Sequence, residues 1–203
     1  LDNSAPVWTT PAGSLDGNFA CKEAEPAVPE AADNCTGQVT VVKVSDITTP
    51  GSCANKYVRV ITYIAKDACG NESVPFTVTL NVNDNIAPAF TRPADNTIYT
   101  GANCSYDATL ANTGDVTNES DNCSTGLQAT YTDDVTAGTC AGSKVITRTW
   151  RLVDNCGNAA EPQVQTITVL DNSAPVWTTP AGSLDGNFAC SEVVPALPEA
   201  ADN

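Results

Sequence analysis

Residues Lys56–Asn83 read KYVRVITYIAKDACGNESVPFTVTLNVN. In the later half Phe76, Val78, Leu80 and Val82 alternate with Thr77, Thr79 and Asn81, the period of a strand with one face buried. The earlier half, Lys56–Asp67, is rich in β-branched and aromatic residues, which fit a pleated surface. Between them Asp67-Ala-Cys-Gly-Asn71 has turn chemistry, since Asp and Asn bond their own backbone and Gly accepts a positive φ. A counterpart follows at Ser143–Asp154 (SKVITRTWRLVD), leading into Asp154-Asn-Cys-Gly-Asn158. Gln38–Asp46 reads as one more strand, and no segment carries a helical period. Short strands with regular turn signals predict an all-β fold of tandem immunoglobulin-like β-sandwich modules. The matched aromatics Tyr63 and Trp150 are expected in their cores.

Working outward, the chain repeats itself. Leu1–Asn34 recurs at Leu170–Asn203 with four differences: Lys22/Ser191, Ala24/Val193, Glu25/Val194 and Val28/Leu197. Asn3-Ser-Ala-Pro6 aligns with Asn85-Ile-Ala-Pro88 and with Asn172-Ser-Ala-Pro175. The expected organisation is a first module at 1–83, a second at 84–170 and the start of a third at 171–203, cut from a longer array. Each full module carries four cysteines: Cys21, Cys35, Cys53 and Cys69, then Cys104, Cys123, Cys140 and Cys156. Cys190 opens a third set, so the odd ninth cysteine reads as a truncated pair.

Composition removes several functions. Of 203 residues 24 are acidic and nine basic, a net charge of −15, and there is no His. No Ser–His or Cys–His pair, histidine zinc site or imidazole switch can exist. The acidity argues against nucleic acid and anionic membranes as partners. No run approaches the length of a membrane span, so direct membrane insertion is not expected. No nucleophile–base constellation is visible, and the chain reads as a non-enzyme. Frequent cysteines without any C-x-x-C point to disulfides made in an oxidising compartment.

Strand direction constrains the disulfide pairing. If the linker enters a module at its near pole, Cys21 and Cys53 fall at the far pole, and Cys35 and Cys69 at the near pole. Within one module this favours Cys21–Cys53 and Cys35–Cys69, and likewise Cys104–Cys140 and Cys123–Cys156, because a disulfide needs Cα atoms within about 7 Å.

The ordered recurrence of Asp-Asn-x-Ala-Pro, Asp-Asn-Cys and Asp-x-Cys-Gly-Asn, closed by an alternating strand, resembles the HYR-like, immunoglobulin-like repeats of Bacteroidota surface adhesins. These include the gliding-motility adhesins exported by the type IX secretion system. The resemblance implies a spacer or stalk in a long extracellular, bacterial cell-surface filament that supports adhesion or gliding. A second, partial likeness joins Asn83-Asp84-Asn85-Ile86-Ala87-Pro88 to the calcium-binding linker of cadherins. It departs by one extra residue before the Pro, and the cadherin motifs Asp-Arg-Glu and Asp-x-Asp are absent.

The pole argument also gathers acids. Asp84, Asn85, Asp121 and Asp154 are expected together at the start of the second module, as are Asp2, Asp33 and Asp67 in the first and Asp171 in the third. Ca²⁺ takes six to eight oxygens, and such clusters make calcium the candidate ligand at module junctions. Asp133-Asp134 is expected to be a solvated loop. Trp8 and Trp177, just after the linker prolines, are expected to pack on the preceding module. The expected partners are neighbouring modules of the chain, other copies of the filament, or surface glycans. The alternative functions are a glycan- or protein-binding module, with Tyr99, Tyr106 and Tyr131 as candidate platforms, and a self-assembling fibre.

Overall fold

The computed structural model describes residues 2–35, 37–139, 142–186 and 197–202. In the first repeat the strands are β1 (Val7–Trp8), β2 (Gly17–Phe19), β3 (Ala31–Ala32), β4 (Thr40–Pro50), β5 (Lys56–Lys66) and β6 (Phe76–Asn83). Four form a sheet in the order β2-β6-β5-β4, and β1 pairs with β3 in a second, smaller sheet. β5 runs antiparallel to both β4 and β6, whereas β2 joins β6 in parallel. The expected alternation in β6 is realised, with Phe76, Val78, Leu80 and Val82 buried and the intervening residues more exposed. Phe76, Val78 and Leu80 meet Ile61 and Tyr63 of β5 to form the core. The turn between β5 and β6 needs Gly70, whose φ is +90°.

The second repeat follows the same plan. Its strands are β7 (Ala89–Thr91), β8 (Asn96–Tyr99), β9 (Thr117–Ser120), β10 (Thr130–Ala137), β11 (Lys144–Arg151) and β12 (Gln163–Leu170), with one short helix α1 (Leu110–Thr113). The large sheet runs β8-β12-β11-β10, with β8 parallel to β12, and β7 pairs with β9. A final pair, β13 (Val176–Trp177) with β14 (Ala200–Ala201), reproduces β1 and β3. The architecture is all-β and sandwich-like, as the alternation and turns predict.

Two compact units emerge. One comprises Leu1–Phe90, Asn118–Ala129 and Leu152–Glu161; the other comprises Thr91–Thr117, Thr130–Arg151 and Pro162–Asn203. The first unit therefore includes two turns whose sequence belongs to the second repeat.

Three expectations are corrected. Trp8 packs on its own repeat: its ring lies 5.1 Å from that of Phe76, and its indole N–H donates to the Val74 carbonyl at 2.8 Å. Trp177, at the matching position, is exposed. Asp133-Asp134 lies in β10 and not in a loop. Asp133 holds Arg148 through two hydrogen bonds of 2.8 Å, to Nε and Nη2.

Arg148 occupies the position that Ile61 fills in the first repeat, and it is 1% exposed. Two further N–H groups donate to Thr113 Oγ1 and the Ala108 carbonyl, each at 2.8 Å. Its guanidinium lies 4.0 Å over the Tyr131 ring. Gln165, matching Val78, is fully buried and donates to the carbonyls of Ala94 and Thr113. The second repeat thus replaces two apolar core positions with a satisfied polar network. Breaking a buried ion pair on one side costs about 3–5 kcal/mol, and Asp133 is partly exposed, so the lower end applies. Arg148→Ala is expected to lower protection of β11 amides by about 3 kcal/mol in hydrogen exchange. Asp134→Ala, at an exposed position of the neighbouring β10, is expected to change it by less than about 0.5 kcal/mol.

Candidate functional site

Two cystines stand beside the acidic residues of the second repeat. Cys21 bonds Cys123 and Cys53 bonds Cys156, with Cα separations of 5.0 and 5.1 Å. This corrects the expected pairing within each module. The pole assignment puts Cys21 with Cys53 and Cys123 with Cys156, and each such pair does share one end of a repeat. What meets is the far end of one repeat and the near end of the next, so both bonds cross the repeat boundary. Cys35 and Cys69, expected to bond each other, are exposed thiols. The expected Cys104–Cys140 bond, and the third-repeat Cys190, lie outside the described residues because Cys140 and Cys190 do. Asn122 brackets the first cystine: its side-chain amide donates to both sulfurs, at 3.0 and 2.8 Å.

The same turn that carries Cys123 carries Asp121. One oxygen of Asp121 accepts the backbone N–H groups of Cys123 and Ser124 at 2.9 and 2.8 Å. Its other oxygen is buried without a hydrogen-bond donor. Asp84, in the linker, behaves alike: Oδ1 accepts from the Ile86 N–H, while Oδ2 is buried without a donor. Ligand atoms of Asp84, Asp121 and Cys123 lie within 4.8 Å of one another. The first repeat rebuilds this arrangement with Asp2, Asp33 and Cys35, and again Asp33 keeps one buried oxygen without a donor. A buried carboxylate oxygen without a partner is costly, and a cation is a natural complement.

Asp67 and Asp154 have a different task. Asp154 Oδ1 accepts the N–H groups of Cys156 and Asn158, both at 2.8 Å, and Oδ2 accepts the Asn158 amide at 2.7 Å. Asp67 makes the matching set with Cys69 and Asn71. Burial pushes both carboxyls up, but the Asn amide and the turn N–H groups outweigh it and hold both below the usual carboxylate value. These two Asp shape the cysteine-bearing turns, and Asp67 also stands within reach of Asp2 and Cys69. The sequence reading passed over Asn71 and Asn158. Each bonds its turn Asp and also donates, at 3.4 Å, to the carbonyl of the linker residue Asp2 or Asp84. Their signal was the last letter of Asp-x-Cys-Gly-Asn.

The remaining expected residues stand apart. The Asn85 side chain is exposed, in a shallow groove with Asn18, Phe19 and Asn83. Asp171 caps the Ser173 N–H at 2.9 Å. Asp2 sits below the usual carboxylate range, first through the Ser4 N–H and then through the Cys35 thiol, which it pushes up in turn.

No family model matches the chain, and no curated protein matches it. Solved structures to which it is similar include Drosophila N-cadherin EC1-4, with 11% identity over 89% of this chain and 54% of that one, at a TM-score of 0.31. The chain spans about half the length of that fragment. Human protocadherin-24 EC1-2 shares 13% identity over 84% of this chain and 100% of that one, at a TM-score of 0.30. Human mucin-like protocadherin EC1-2 shares 11% over 83% and 98%, at 0.28.

The Asn158–Asp154 pair yields a pH dependence with a definite sign. A carboxyl held below its unfolded value contributes stability above that value and loses it as the pH falls through the folded value. Asn158→Ala is therefore expected to lower the thermal midpoint at pH 7. The gap from the parent chain narrows as the pH falls from the unfolded carboxylate value through the lower value of folded Asp154. Parallel melting curves over that range check it.

Proposed function

We propose that this chain is a segment of an extracellular repeat array, a structural spacer of an adhesin of the HYR-like kind, and that its repeat junctions bind Ca²⁺. The observation that carries the spacer reading is that both cystines tie one repeat to the next. A module that only displays a ligand site needs its own fold closed. A module that transmits load needs its junction closed. Cystines also favour an oxidising compartment, outside the cytosol. Placement on a bacterial surface, with a part in adhesion or gliding, rests on the resemblance of the motifs.

The lateral fibre is less favoured. β4 and β10 are exposed edges, but β4 carries Lys43 and Asp46, and β10 carries Asp133 and Asp134. Charged residues on an edge oppose pairing between chains, as does a net charge of −15.

The residues fit a hard cation. At the second repeat the donors are carboxylate oxygens of Asp84 and Asp121, each with one oxygen lacking a donor. Cys123 is tied in its cystine and offers no thiolate, so the set is one of oxygens, as Ca²⁺ prefers. Ca²⁺ held there neutralises the acids that the junction confines.

Two measurements test this reading. In single-molecule pulling from the chain ends, the 102-residue span between Cys21 and Cys123 is withheld from extension. A reductant is expected to release about 340–370 Å of contour length, at about 3.3–3.6 Å per residue. Equal extension with and without reductant would sink the spacer. In melting experiments, Ca²⁺ at a hundred times its Kd is expected to stabilise by about 2.7 kcal/mol. Asp84→Asn with Asp121→Asn is expected to remove that gain. A midpoint indifferent to Ca²⁺ and to chelator would refute the metal site.

A further inference from the structure

Cys35 and Cys69 stand in the first repeat where Cys123 and Cys156 stand in the second: one pair in Asp-Asn-Cys, the other in Asp-x-Cys-Gly-Asn. The local scaffolds agree bond by bond. Asp33 Oδ2 accepts the Cys35 N–H at 3.1 Å, as Asp121 Oδ2 accepts that of Cys123 at 2.9 Å. Asp67 Oδ1 accepts the Cys69 N–H at 2.9 Å, as Asp154 Oδ1 accepts that of Cys156 at 2.8 Å. Asn71 reaches the Asp2 carbonyl at the same 3.4 Å as Asn158 reaches that of Asp84. In the second repeat this surface is covered, and both sulfurs bond the far-end cysteines Cys21 and Cys53 of the repeat before it. In the first repeat both thiols are exposed, and they line one recess with Asp2, Asp33 and Asp67.

We propose that Cys35 and Cys69 form a docking site for another repeat of this kind, closed by two cystines to the cysteines at that repeat's Cys21-like and Cys53-like positions. The proposal rests on the repeat-array reading and deepens it. The occupant is defined by the interface the chain already makes: a cysteine pair at the spacing of Cys21 and Cys53. Donor and acceptor surfaces differ, so the linkage is heterologous and propagates head to tail. Each cystine forms when two thiols give up two protons and two electrons to a disulfide oxidant. With oxidised glutathione, the S–S bond forms between the repeats, and the glutathione disulfide leaves as two thiols.

A second copy of the chain is the probe, since Cys104 matches Cys21 in sequence and Cys140 matches Cys53, and thiol–disulfide exchange in the buffer opens any bond these two already make. The 203-residue chain is held at rising concentration in a glutathione redox buffer, trapped by alkylation, and its disulfides are mapped by mass spectrometry. The expected result is concentration-dependent covalent oligomers with Cys35–Cys104 and Cys69–Cys140 linkages. Cys35→Ser with Cys69→Ser is expected to cut the oligomer yield at least tenfold while Cys21–Cys123 and Cys53–Cys156 stay closed. A Cys35–Cys69 cystine within one chain overturns the proposal. So do two thiols that stay alkylatable at the highest concentration; either result leaves the spacer reading standing. A map lacking Cys21–Cys123 and Cys53–Cys156 overturns both.

Discussion

The rest of the structure depends on two covalent bonds between residues about a hundred positions apart, Cys21–Cys123 and Cys53–Cys156. A disulfide closing a loop of that length stabilises by roughly 4–5 kcal/mol in the chain-entropy model. That is comparable with the whole net stability of a small domain. The need is plain from composition. Aromatics make up 6% of the chain, and the first core is a thin cluster around Ile61, Tyr63, Phe76, Val78 and Leu80. The bonds also decide which residues form a unit. The turns that carry Cys123 and Cys156 group with the first repeat and not with the strands that flank them in sequence. Asp84 and Asp121, one in the linker and one in a turn, meet beside the first of these bonds, as Asp2 and Asp33 meet in the first repeat without one.

Within this frame the two repeats solve the core differently. Ile61 and Val78 of the first become Arg148 and Gln165 of the second, at matched positions of matched strands. An Arg in such a place is tolerable only if its charge and most of its donors are met. Asp133, Thr113 and the Ala108 carbonyl take four of its five N–H groups, and the Tyr131 ring stacks on the guanidinium face. The strand plan is set by alternation and turn chemistry, which both repeats share. The filling of the core is free to differ where a polar residue brings its partners along.

Much of the fold was legible in the sequence because its signals are local. The alternation Phe76–Val82 and the Gly70 and Gly157 turns state their geometry within a few residues. Strand direction predicts Asp2 beside Asp33 and Asp67, and Asp84 beside Asp121, and these acids do lie close; it equally predicts Asp154 beside them, and their group does not include it. What failed was whatever depends on a partner from another repeat. The pole argument placed Cys21 and Cys53 correctly at one end, but sought their partners inside the same module. Trp8 was misplaced for the opposite reason: its Phe76 and Val74 partners lie in its own repeat, distant in sequence. Asp133 carried no mark of its bond to Arg148, because register is a property of the pair and not of either strand. Asn71 and Asn158 were quoted within their motif, yet their reach to the linker carbonyl appears only in three dimensions.

The acid clusters set an electrostatic constraint on each junction. Two carboxylates about 4 Å apart repel by about 1 kcal/mol in water and by several times that near a protein surface. The turn offsets part of this at Asp121, whose Oδ2 accepts the Cys123 and Ser124 N–H groups. The first repeat brings Asp2 and Asp33 within the same reach while Cys35 is a free thiol, so linker and turn set the approach and the cystine only limits how far they can part. On the proposed reading a cation would relieve the repulsion at both junctions. At the second, the Cys21–Cys123 bond two residues beyond Asp121 would keep the ligands from dispersing when the ion leaves.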